Sequence, residues 1–213
     1  MIDFEKLVLE KLNYQLSETQ LNQFNDYYEF LVQYNENVNL TRITEKEEVY
    51  IKHFYDSIQI TCEVQFGNQK VCDMGSGAGF PGIPIKILFP DLELTIVDAS
   101  LKRLTFLNLL IKKLNLKNVV TIHARVEQYQ NENPNYFDIV TARALSTLDN
   151  LVKWSFPILK TNGCLIAYKA KNFLEELELI EKKHHSKIAS INVINQDLPD
   201  KQGERNNIII KKA

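Results

Sequence analysis

The chain has no apolar run approaching membrane-spanning length, no internal repeat and no low-complexity tract. A bilayer crossing needs about 20 consecutive apolar residues, so no membrane partner is expected. Its start, Met1-Ile-Asp-Phe-Glu-Lys6, is too charged for a signal peptide, and a cytoplasmic protein is expected. Cysteine is sparse. Cys62, Cys72 and Cys164 stand alone, without metal-ligand spacing, and read as reduced core residues; no metal site is expected. Neither sign of charge dominates: 25 Lys and Arg face 27 Asp and Glu, for a net −2. Nucleic acid, if bound, must therefore meet a local basic patch. What remains is ordinary globular composition, 45% hydrophobic and 24% charged, over 213 residues. That length holds one α/β domain plus an extension.

The N-terminal part reads as helices. Ser17-Glu-Thr-Gln20 is a capping box ahead of Leu21, Phe24, Tyr27, Tyr28 and Leu31 at helical spacing. Asn35-Glu-Asn-Val-Asn39 is expected to break that helix, and Thr44-Glu-Lys-Glu47 to cap another running to about Tyr55. From Gln69 the rhythm alternates. Strands are expected at 70–73, 93–98, 119–123, 137–141 and 164–168. Helices are expected at 81–88, 101–114, 148–159 (ending before Asn162-Gly163) and 175–184. Two last strands, near 188–194 and 207–211, have too little chain between them for a crossover and suit an antiparallel edge hairpin. The fold class is thus α/β, a mostly parallel Rossmann-like sheet, with a helical region over 1–66 and the sheet domain over 67–213.

Glycine and proline are scarce, 7 and 6 residues, yet cluster in Val71-Cys-Asp-Met-Gly-Ser-Gly-Ala-Gly-Phe-Pro-Gly82 and the following Ile-Pro84. This is a strand ending in an acid, a turn open to close backbone approach, and a helix start with prolines in its first turn. Gly77-Ala-Gly79-Phe-Pro-Gly82 also fits G-x-G-x-x-G, so a dinucleotide remains possible. Two details favour S-adenosylmethionine (AdoMet). Asp73 at the strand end would oppose a pyrophosphate and favour an ammonium and a sulfonium. Pro81 stiffens the place where a dinucleotide fold puts pyrophosphate on helix N–H groups. Asp98, ending the second strand, can accept ribose hydroxyls of either cofactor, or instead cap the helix from Leu101. Ala124-Arg-Val-Glu127 offers N–H groups and a carboxylate to an adenine edge.

Several separated motifs together resemble the bacterial 16S ribosomal RNA guanine-N7 methyltransferases of the glucose-inhibited division protein B type. They are Asn37-Val-Asn-Leu-Thr-Arg-Ile43, His53-Phe-Tyr-Asp-Ser57, the 73–84 turn, Asp98 with Lys102-Arg103 and Phe106-Leu107, Arg125-Val-Glu127, Phe137-Asp-Ile-Val-Thr-Ala-Arg-Ala144 and Gly203-Glu-Arg205. The resemblance spans nearly the whole chain. It implies a Rossmann-like methyltransferase domain behind a small helical region, and AdoMet contacts at Gly75, Phe80, Val126, Glu127 and Arg143, which join Asp73, Gly77 and Asp98. It also places His53 and Asp56 at the substrate. One departure is Lys169-Ala170, where family members often carry Lys-Gly.

Guanine N7 carries a lone pair and no proton, so methylation there needs no general base, and no catalytic acid or base is assigned. Positioning carries the rate: in-line alignment can supply about 7–11 kcal/mol of the barrier. Arg143, at a strand's C-terminal end, could clamp a cofactor carboxylate or an RNA phosphate, or simply pair with Asp138 or Asp149. His53 and Asp56, three apart on a helix, share a face. Arg103, Lys169 and Arg205, with Lys102, Lys171 and Lys211-Lys212, are candidate contacts to 16S rRNA or the small ribosomal subunit. Trp154 and the N-terminal tyrosines are expected in the core, His123 in or near the sheet, and His184-His185 at a solvated helix end. The protein is expected to act as a monomer. The rival readings are a nicotinamide- or flavin-dependent oxidoreductase and a non-catalytic ribosome- or RNA-binding protein on the same fold.

Overall fold

The computed structural model describes residues 3–169 and 173–213. Helix α1 (Phe4–Leu12) starts at Asp3, whose carboxylate accepts from the Lys6 N–H at 3.0 Å. Helix α2 (Glu18–Val38) opens with the expected capping box, the Gln20 N–H donating to Ser17 Oγ and the Ser17 N–H to Gln20 Oε1. It does not break at Asn35. It runs to Val38 and turns at Asn39 (φ 30°), while the Asn35 side chain accepts from the N–H groups of Leu40 and Thr41 and organises the exit.

The second capping box does not form. Helix α3 (Lys46–Val49) follows Glu45, which makes no side-chain cap bond. The helical path also continues past Tyr55, through a π-helical turn (Tyr50–Tyr55), α4 (Asp56–Ile58) and a 3-10 turn (Gln59–Cys62). Ile51, Phe54, Tyr55 and Ile58 are buried along it and keep it against the core. Its last residue, Cys62, is exposed, so the core assignment of that thiol is corrected; Cys72 is buried and Cys164 partly so.

The sheet has the order β3-β2-β1-β4-β5-β7-β6. Its strands are β1 (Lys70–Met74), β2 (Glu93–Asp98), β3 (Val119–His123), β4 (Phe137–Arg143), β5 (Leu159–Lys169), β6 (Ile188–Asp197) and β7 (Glu204–Lys212). The first five run parallel; β7 is antiparallel to both β5 and β6, so the edge hairpin forms as expected. Helices α5 (Gly82–Leu88), α6 (Leu101–Lys113), α7 (Val126–Tyr129), α8 (Leu148–Ser155) and α9 (Leu174–His184) complete the fold.

The helix expected to reach Leu159 stops at Ser155, because Pro157 has no N–H to continue it. Leu159 already belongs to β5, and Asn162-Gly163 lies inside that strand beside a register shift in the β4 pairing.

Alternate strand residues feed two apolar clusters, one on each face. Val71, Ile139 and Ile166 join Phe24, Tyr27, Leu31 and Phe54 of the N-terminal helices on one face. Cys72, Met74, Val140 and Leu165 join Leu151, Val152 and Ile180 on the other. Strand order reverses direction at β1, which pairs with both β2 and β4. The crevice of an open α/β sheet forms at such a switch point, beyond the strands' C-terminal ends. Among the described residues no helix is long and apolar enough to cross a membrane.

Candidate functional site

The glycine turn after β1 is built around Asp73, whose carboxylate is fully buried. One oxygen accepts from the Ser76 hydroxyl and from the Gly82 N–H at 2.9 Å; the other accepts from the Thr141 hydroxyl of β4 at 2.8 Å. The expectation that Asp73 faces the ligand's cationic groups is therefore corrected: its carboxylate is fully buried and points inward, bonded by two donors of the turn and one of β4. Burial pushes its carboxyl up, and the hydrogen bonds from Ser76, Thr141 and Gly82 pull it back. A Cβ on Gly82 would sit 2.7 Å from Asp73 Oδ2, so the acid needs glycine there. Gly79 (φ 105°) leaves the same kind of room for Tyr27, whose hydroxyl donates to the Ala78 carbonyl at 2.6 Å. Pro81, expected to be the first residue of this helix, is instead the N-cap of α5, one position before it.

A first cavity of about 280 Å³ opens beside this turn, lined by Gly75, Asp98, Arg103, Val126, Glu127 and Trp154 among others. It gathers residues from the ends of β1, β2 and β3. Asp98 is 3% exposed and accepts from the N–H groups of Gly77 (3.1 Å) and Ser100 (2.8 Å). It does not cap α6; Ser100 holds the N-cap position. Arg103 lies 3.6 Å from Asp98, so this cation, expected at RNA, borders the first cavity. Lys102 is exposed on the adjoining turn. An open backbone at Gly77, where a Cβ would meet nothing within 4 Å, and a buried acceptor in Asp98 fit a nucleoside.

A second cavity of about 500 Å³ lies against the first, lined by Lys52, His53, Asp56, Arg143, Lys169 and Arg205, with Ile43, Ala144 and Tyr168. Ala144, in a left-handed conformation (φ 51°), lines both. Here most of the expected substrate residues meet. Arg143 Nη1 is 3.3 Å from Asp56 Oδ2, and Arg205 Nε 3.0 Å from Asp56 Oδ1. Gln59 also donates to Asp56, at 3.1 Å. Arg143 thus pairs with neither Asp138 nor Asp149. Its guanidinium lies 4.9 Å from the centre of the Phe80 ring, and Phe80 stacks on His53 (4.5 Å) and on Tyr27 (5.4 Å). Phe80 is 4% exposed, a plate within this stack. His53 Nδ1 is 3.3 Å from Arg143 Nη2, and its Nε2 is 2.9 Å from the Thr41 hydroxyl. Burial, then the nearby Arg143, lower the His53 pKa to about 3, so the ring is neutral near neutral pH.

The remaining cations divide. Lys169 bonds to Glu176 (2.8 Å) and to the Ser146 carbonyl (2.9 Å), which ties α9 to the loop after β4. Lys212 donates to Asn135 and to the carbonyls of Phe156 and Leu159, a clamp at the opposite end of the sheet that corrects its expected phosphate contact. Lys211 is exposed beside it. Ala170 and Lys171 lie outside the described residues. His123 ends β3, with Nε2 3.1 Å from the Ala99 carbonyl. His184 is not solvated; it sits 2.8 Å from Asp149. Among the described residues no group of three or more His, Cys, Asp and Glu is gathered to hold a metal.

Sequence reasoning missed Thr41, Lys52, Ala144, Tyr168 and Trp154 as lining or supporting groups. Thr41 lies in the 37–43 motif, which was its one signal. Trp154 was expected in the core.

A family model for rRNA small subunit methyltransferase G matches residues 20–209. Ribosomal RNA small subunit methyltransferase G of Bacillus licheniformis is 45% identical over 208 residues, covering 96% of this chain and 87% of that one. Its counterpart in Listeria welshimeri is 43% identical over 214 residues, covering 98% and 89%. Among solved structures, a SAM dependent methyltransferase from Aquifex aeolicus superposes with a TM-score of 0.59 at 16% identity, over 82% of this chain and 97% of that one. This last likeness bears on fold alone. The near-complete match in sequence, on a fold whose crevice collects the same motifs, means that the chain belongs to the rRNA small subunit methyltransferase G family.

Proposed function

We propose that the protein transfers a methyl group from AdoMet to N7 of a guanine in small-subunit (16S) ribosomal RNA, in the cytoplasm. The observation that carries this reading is the pair of abutting cavities. One offers nucleoside-type partners, the other is rich in cations, and Ala144 lies at their common wall.

In the first cavity, Asp98 would accept from a ribose, and Gly75, Val126 and Glu127 would line the nucleoside. AdoMet supplies an electrophilic methyl group on a sulfonium centre. In the second cavity, Lys52, Arg143 and Arg205 suit an RNA strand. Positive charge develops on the guanine during transfer, so uncompensated cations beside N7 would slow it. Asp56 answers this by drawing both guanidiniums onto one carboxylate. His53, held neutral, adds no further charge. N7 needs no base, and neutral His53 is not asked to be one. The helical region through residue 66 supplies Ile43, Lys52, His53 and Asp56 to this cavity and so forms part of the substrate site.

The test is incubation with methyl-labelled AdoMet and small ribosomal subunits, followed by chemical cleavage specific for 7-methylguanosine. Label in the RNA that maps to a cleavage site is expected. Unlabelled RNA would remove the activity, and label without cleavage would remove N7 as the target.

A further inference from the structure

We propose that Trp154 is the aromatic wall against which the adenine ring of AdoMet lies. The inference rests on the AdoMet reading above and names the group that recognises its base. Trp154 is the chain's single tryptophan. It sits on α8, the helix entered directly from the loop after β4. Helical side chains tilt toward the helix N-terminus, so the indole reaches back toward that loop and the crevice. It packs on the core cluster of its sheet face and also borders the first cavity, with Gly75, Asp98, Val126 and Glu127.

Among the described residues its ring N–H has no hydrogen-bond partner and its ring no aromatic or cationic neighbour. A half-buried tryptophan usually finds an acceptor for that N–H. With neither contact made, an indole bordering a cavity can offer its π-surface and its donor to a ligand that enters. Adenine is the π-surface that AdoMet offers, and its ring nitrogens are acceptors. Asp98, buried in the same wall, favours a nucleoside of the cofactor over an RNA nucleotide: the cofactor's ribose has two free hydroxyls to donate, whereas a ribose within an RNA strand has only its 2′-hydroxyl and brings an anionic phosphate beside the carboxylate.

The experiment is calorimetric titration of AdoMet, adenosine and methionine into the wild type, Trp154→Phe and Trp154→Leu, with indole emission followed in the wild type. AdoMet and adenosine should both change the emission, and methionine should not. Trp154→Leu should weaken AdoMet and adenosine alike by about tenfold or more, and Trp154→Phe by only about threefold. An unchanged Kd in Trp154→Leu overturns the proposal. Should that variant fail to fold, as judged by circular dichroism, unchanged wild-type emission at calorimetrically saturating AdoMet overturns it by itself. Emission that responds to a guanosine oligonucleotide but not to adenosine assigns the indole to RNA, and also overturns it. No binding of AdoMet to the wild type would instead overturn the cofactor reading on which the proposal rests.

Discussion

Asp73 is buried and His53 half-buried beside the crevice, and desolvation treats the two ionisable groups differently. Asp73 is surrounded by donors, Ser76, Gly82 and Thr141, and braces the turn. Asp73→Ala would strand those donors, each at a cost of about 1–3 kcal/mol. Melting temperature and AdoMet affinity should therefore fall together in that variant, with Asp73→Asn between it and the wild type, as thermal melts and calorimetry can read. Lost affinity at an unchanged melting temperature would return Asp73 to the ligand. His53 titrates at about 3 in the folded protein, below its ordinary 6.5, so the unfolded chain takes up the proton first as pH falls. Its destabilising effect is absent above 6.5 and grows as pH drops through that value toward 3. His53→Gln should make the fall in melting temperature between about pH 7 and pH 4 shallower than in the wild type; a parallel curve would exclude His53 as a source of acid sensitivity.

At the scale of elements, α2 holds the glycine turn through one hydroxyl. Tyr27 donates to Ala78 at 2.6 Å and stacks on Phe80, while Tyr14 makes a comparable bond to the Leu88 carbonyl at 2.7 Å, at the far end of α5. Tyr27→Phe and Tyr14→Phe should each lose about 1 kcal/mol of stability. Only Tyr27→Phe should also raise the AdoMet Kd several-fold, since only its carbonyl belongs to the turn. Equal affinities in the two variants would reduce Tyr27 to a packing residue. The π-helical turn works similarly: the helical path from Lys46 to Cys62 carries His53 toward Phe80 and Arg143, and Asp56 toward Arg143 and Arg205. Such turns recur at functional sites.

For the whole molecule, a net charge of −2 sets no general attraction to RNA. Affinity must come from local cations, and it should fall with salt in proportion to the phosphates they meet. Lys102 is exposed, whereas Lys169 is held by Glu176 and Ser146. Lys102→Ala should lower the slope of log affinity against log salt by about 0.7–0.9, and Lys169→Ala should leave it unchanged while lowering the melting temperature. Filter binding over a salt series measures both slopes; an unchanged slope in Lys102→Ala would remove that lysine from the interface.

The amino-acid sequence by itself determined the alternation of strands and helices, the edge hairpin, the glycine turn and the family, because periodicity, turn chemistry and contiguous motifs are local properties of a chain. It also named most of the residues that line the two cavities. Only the tertiary structure decided which way those residues face. Asp73 turned inward because Gly82 and Thr141, 9 and 68 positions away, converge on it. Trp154, packed on the core cluster from the last turn of α8, also reaches the first cavity. Arg143 chose Asp56, 87 positions earlier, over acids nearer in sequence. Direction and partnership depend on long-range packing, which brings together groups whose spacing along the chain carries no sign of the meeting.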